Sequence, residues 1–141
     1  MDSLKKETAD LIKKSKEADY QGREDCGDYL DVSVIGDVER INQNPEVATT
    51  GSCSGENHTE YPGYQGHVFV AVVFRDEDVA KRYLDKLRGE GFVVEPSDEI
   101  RMGWFRKYHP KVKREWNVSI DEGQKPRQAW DKWTQILSRV E

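Results

Sequence analysis

The chain has 141 residues, 35% hydrophobic and 35% charged, with a mean hydropathy of −0.89, which is wetter than an average globular chain and of ordinary single-domain length. Its net charge of −5 is unevenly spread: residues 1–60 carry 7 basic and 14 acidic side chains, 61–100 carry 5 and 8, and 101–141 carry 10 and 5 together with all four tryptophans. The longest apolar run, 68–74, is far short of the roughly 20 residues a spanning helix needs, the amino terminus lacks the apolar segment of a secretory signal, and Cys26 and Cys53 lack the Cys-x-x-Cys spacing of a zinc or redox site.

These exclusions lead to an expected reduced, cytoplasmic, non-membrane protein, one domain over 1–141, with a single Cys26–Cys53 bridge left open. A first helix is predicted over 3–18, where Leu4, Leu11 and Ile12 form a thin apolar stripe among lysines. Residues 19–30 read as a loop. A second helix starts at about 31 and carries Val34, Ile35, Val38 and Ile41 on one side; Asn44-Pro45 ends it. A short strand over 47–50 follows, then a small-residue turn, then a loop over 56–66 with several glycine and proline turn signals.

Residues 67–74 are apolar on both faces, as in a strand buried in the middle of a sheet. Asp76 is a natural cap for a third helix, whose core face is Val79, Ala80, Tyr83, Leu84 and Leu87, with Gly89 or Gly91 closing it. A strand over 92–95 completes a strand–helix–strand unit spanning about 67–95. Strands are also predicted over 99–106 and 114–120. Pro126 opens a last helix with Ala129, Trp130, Trp133, Ile136, Leu137 and Val140 on its apolar face. The expected fold is therefore α+β, a mixed β-sheet packed by about four helices.

Thr49-Thr50-Gly51-Ser52-Cys53-Ser54-Gly55 concentrates four hydroxyls, a thiol and two glycines at the end of a strand. Small side chains let a ligand approach the backbone, and consecutive N–H groups in such a turn can form an anion-binding nest. The alternative is a tight turn whose hydroxyls satisfy local backbone groups. Cys53 would act as a nucleophile only beside a base or positive charge. His58 and His67 are near in sequence, but their spacing with Cys53 matches no recognised zinc pattern, so no metal is assigned. His109, before Pro110, is expected to be exposed.

The same segment, preceded by Ile41-Asn42-Gln43-Asn44-Pro45, resembles the hallmark of the wybutosine-pathway tRNA methyltransferases, in which a helix ending in Ile-Asn runs into Thr-Thr-Ser-Ser-Cys-Ser-Gly. The likeness is sharp over about 35–55 and topological over 67–120. It implies an α+β fold and a site for S-adenosylmethionine used to methylate a modified guanosine in tRNA. Two positions differ. Gly51 stands where the family has Ser, and Glu56 where it has Arg, which reverses a charge beside the implied pocket.

Arg101, Arg106, Lys107, Lys111, Lys113 and Arg114 occur without an intervening acid and are interleaved with Trp104, Phe105 and Tyr108. Basic side chains for phosphate and aromatic rings for base stacking are what nucleotides and single-stranded RNA require. The alternative is a solvated edge strand with its aromatics turned inward, so that 101–114 contacts ligand, RNA or only solvent. Trp130 and Trp133 lie on the helical core stripe and are read as packing residues.

Three functions follow. The preferred one is binding of a small nucleotide-type ligand on a wybutosine-methyltransferase-like fold, sequestering or sensing a nucleotide signal without evident catalysis, its pocket completed in a homo-oligomer. Its ligand-binding residues are Thr50, Ser52, Cys53, Ser54, Gly55, His67, Arg101, Trp104, Arg106 and Lys107. The second is an S-adenosylmethionine-dependent methyltransferase with tRNA as partner. The third is a structural adaptor without ligand.

Overall fold

The computed structural model describes residues 1–18, 30, 32–54, 68–121 and 123–140. Most of the loop expected over 19–30 and all of that over 56–66, with Cys26, Gly55, Glu56, His58 and His67, lie outside the described residues. In chain order come α1 (Asp2–Ala18), a 3-10 turn (Val32–Val34), α2 (Ile35–Gln43), β1 (Val47–Cys53), β2 (Phe69–Phe74), α3 (Glu77–Gly89), β3 (Val93–Pro96), α4 (Glu99–Tyr108), β4 (Trp116–Ser119) and α5 (Pro126–Leu137). The fold is α+β.

The sheet order is β1-β2-β4-β3, and every neighbouring pair is antiparallel. The mixed sheet expected from the sequence is thus corrected. β2 and β3 do run in the same direction across the α3 crossover, but β4 inserts between them. Each strand then gains antiparallel neighbours, whose perpendicular hydrogen bonds are slightly more stable than the slanted parallel ones. β2 lies inside the sheet, and this is why its sequence is apolar on both faces.

Val70 and Val72 of β2 and Val118 of β4 face the larger core, which is built from Val38 and Ile41 of α2, Tyr83 and Leu87 of α3, and Trp130, Trp133 and Leu137 of α5. Trp130 and Trp133 meet edge to face at 5.0 Å as packing residues. Asp76 caps α3, its carboxylate accepting from Val79 N at 2.9 Å. The opposite face is covered by a smaller core of Leu4, Ala48, Val73, Met102, Phe105 and Val112.

That second core depends on a second correction. Residues 99–106 are not a strand; they lie in α4, a helix beyond the four expected. Asp98 caps it by accepting from Arg101 N at 2.7 Å, and Met102 and Phe105, three apart, are its buried face. Ile100, Trp104 and Tyr108 stand on the other side. Apolar residues on both sides of the helix hid its 3.6-residue period.

The outer edge of β1 is sealed by side chains rather than by another strand. Lys5 Nζ donates to the carbonyls of Asn42 at 2.7 Å, Asn44 at 2.8 Å and Val47 at 2.6 Å. One ammonium thereby satisfies the carboxyl end of α2 and the first residue of β1. Burial pushes the Lys5 pKa down. The single Thr8 hydroxyl hydrogen is shared between the Leu4 carbonyl at 2.9 Å and the Thr49 carbonyl at 3.2 Å. Over Val47–Thr49 the edge carbonyls are thus occupied by side chains rather than left for another strand.

Candidate functional site: the β1 bulge, Glu115 and the outer face of α4

The hydroxyl-rich segment is strand as far as Cys53, and not the turn beginning at Gly51 that its composition suggested. Its register with β2 slips between Thr49, opposite Val72, and Gly51, opposite Ala71, leaving Thr50 as the extra residue of a β-bulge. A bulge re-aims its side chain. Here the Thr50 hydroxyl donates to Oε2 of Glu115, 65 positions later in the chain.

Glu115 is 1% exposed. Besides Thr50, its carboxylate accepts from Ser97 Oγ at 2.6 Å and from Arg101 through Nε at 2.9 Å and Nη2 at 3.1 Å. Burial alone would raise the carboxyl pKa. The hydrogen bonds from Arg101, Ser97 and Thr50, with the charge of Arg101, outweigh it and hold the group below the usual carboxylate range. Arg101 is shifted up in return, chiefly by its hydrogen bonds to Glu115. The bidentate pair locks α4 to the segment leading into β4.

Arg101 then lies against the aromatic side of its own helix, 6.0 Å from the Trp104 ring centre and 5.8 Å from that of Phe105. Trp104 and Tyr108 contact each other at 5.3 Å with a 58° tilt, yet are 59% and 61% exposed; Ile100, one turn earlier, is 89% exposed. Trp104 is the one exposed tryptophan of the four. Arg106 turns back to donate to the Lys113 carbonyl, and both it and Arg114 reach Glu99, at 3.8 and 2.9 Å. Lys107, Lys111 and Lys113 are exposed and pair with no acid among the described residues.

Of the residues singled out from the sequence, Thr50 and Arg101 meet on Glu115, and Trp104, Arg106 and Lys107 share α4 with Arg101. Ser52, Cys53 and Ser54 are buried. Ser52 is paired with Val70 and so belongs to the face under α2, α3 and α5; its Oγ finds no hydrogen-bond partner among the described residues. The Cys53 carbonyl accepts from Trp130 Nε1 at 3.3 Å. Gly55 and His67 lie outside the described residues.

His109 is not exposed as expected: its side chain is 11% accessible, sits 3.5 Å from Glu7 and lies against Phe105 at 5.1 Å. No three potential metal ligands come together among the described residues, and no helix there is long and apolar enough to cross a membrane.

The two ends of the motif are joined directly. Asn42 Oδ1 accepts from Thr49 N at 3.0 Å, and Asn42 Nδ2 donates to Thr49 Oγ1 at 2.9 Å. Asn and Thr at this spacing therefore hold the end of α2 against β1. Two residues central to the arrangement, Glu115 and Ser97, were missed from the sequence. The signal for Glu115 was available: it is the single acid between Glu99 and Asp121. Comparison of the chain with protein-family models, with curated proteins and with solved structures finds no match.

Proposed function

We propose that the outer face of α4 binds a nucleotide-type ligand, its base stacked on the Trp104–Tyr108 pair and its phosphate held by Lys107 and the lysines that follow. The observation that supports this reading is the exposure of two touching aromatic rings beside lysines that no acid among the described residues neutralises. Contiguous exposed apolar patches mark interaction sites, and Ile100, Trp104 and Tyr108 are exposed in succession along α4. Stacking plus positive charge is the chemistry a nucleotide recognises. Arg101 acts behind the rings: anchored by buried Glu115, it fixes the orientation of Trp104. The role we assign to this face is sequestration or sensing of that ligand.

Trp104 supplies the test. Titration of the chain with adenosine and guanosine phosphates is expected to quench its fluorescence. Trp104→Ala is expected to weaken binding roughly fivefold or more, the lower end of what stacking contributes. Unchanged affinity in that variant would remove the proposed site.

A further inference from the structure

The exposure of the α4 face limits what it can hold. A site for a free small molecule encloses about 70–90% of its ligand, whereas a base laid on Trp104 and Tyr108, both more than half exposed, is covered from one side only. Affinity on such a surface has to come from repetition. The exposed ridge Ile100, Trp104, Tyr108 recurs every four residues and runs about 12 Å along the helix at 1.5 Å per residue, longer than a single base. Positive charge accompanies the helix over more than one residue: Lys107 lies in its last turn, Lys111 in the turn that follows it, and Lys113 is folded back alongside, its carbonyl accepting from Arg106. Pairing of this face with the same face of a second copy is disfavoured, since it would set the same lysines against one another.

We infer, building on the nucleotide reading above, that the occupant is a single-stranded polynucleotide several nucleotides long, its bases stacked along the Trp104–Tyr108 ridge and successive phosphates on Lys107, Lys111 and Lys113. Stacking and phosphate contacts read no sequence, so binding is sequence-tolerant and salt-sensitive.

The experiment is fluorescence anisotropy on the full chain with fluorescein-labelled octauridylate and octathymidylate, and with uridine monophosphate as competitor. Either octamer is expected to bind roughly tenfold or more tightly than the mononucleotide, through added stacking and phosphate contacts. Three phosphate contacts give a slope of log affinity on log salt of about −2. Equal binding of both octamers, or preference for one, supports the inference and assigns the sugar it accepts. Trp104→Ala and Lys107→Glu are both expected to weaken octamer binding roughly fivefold or more, with the thermal transition unmoved.

Mononucleotide binding as tight as octamer binding would overturn the polynucleotide inference and leave the nucleotide reading standing. Binding of neither would overturn both. Octamer affinity unaffected by either variant would also overturn it, as would binding only to anionic phosphatidylserine vesicles.

Discussion

The hydroxyl-rich strand β1 and the basic, aromatic helix α4 are the two most distinctive stretches of this chain, and they treat their polar groups in opposite ways. In β1 the side chains turn inward: Thr49 bonds Asn42, Thr50 bonds Glu115, and Ser52, Cys53 and Ser54 are buried. In α4 the inner face is only Met102 and Phe105, while Trp104, Tyr108 and Lys107 stand in solvent. A run of small hydroxyl residues attracts attention in a sequence, yet the reactive-looking atoms here mainly build the fold. The surface with unmet interaction capacity is the helix. Glu115 connects the two regions, taking a hydroxyl from one and a guanidinium from the other.

The largest effect is expected from cutting that connection. Glu115→Ala leaves Arg101, Ser97 and Thr50 without their acceptor. Breaking a buried pair costs about 3–5 kcal/mol, and the partial exposure of Arg101 reduces this to about 2–4 kcal/mol, readable as a lower urea midpoint at constant slope. The pH dependence carries the same signature. Because the folded carboxyl titrates below its unfolded value, the native state binds fewer protons in that window and stability rises with pH there. The contribution is complete above the ordinary glutamate range near about 4.3 and is lost as pH falls through the depressed folded value. Glu115→Gln should flatten this limb of the curve; an unchanged acid limb would show that Glu115 does not link the two regions.

A middle-sized contrast lies within β1. Thr50→Val removes a donor to a buried charged acceptor and should cost about 1–3 kcal/mol. Ser52→Ala removes a hydroxyl without a partner among the described residues and should be neutral or slightly stabilising. Equal costs in thermal melts would mean that the bulge has no special role.

The smallest effect on stability is expected in α4. Trp104→Ala and Tyr108→Ala lie on an exposed face and should move unfolding by no more than about 0.5 kcal/mol. A larger loss would assign the ridge to packing and abolish its contrast with β1.

Much of the architecture was legible in the order of residues. α2, α3 and α5 were readable because their apolar residues keep a 3.6-residue stripe, and β2 because an unbroken apolar run fits an interior strand. The cap at Asp76 and the first-turn proline Pro126 marked where helices start. α4 escaped because Ile100, Trp104 and Tyr108 on the outer side mix with Met102 and Phe105 on the inner side. The extension of β1 to Cys53 escaped because glycine and serine are poor strand formers, held in the ladder here by pairing with β2. Of the site, the sequence indicated Thr50 and the basic-aromatic residues, but not the buried carboxylate that joins them.

The sequence by itself determined the local elements: periodicity, caps and breakers act within a few residues, so the identity of most helices and strands is written there. The tertiary structure decided what those local rules cannot reach. It placed β4 between β2 and β3, turned Thr50 out of register to meet Glu115, and left one face of α4 open to solvent. The first two depend on groups distant in the chain meeting at hydrogen-bonding distance, and the third on no distant segment packing there. Such encounters are set by which buried surfaces pack together, not by the propensity of any one segment.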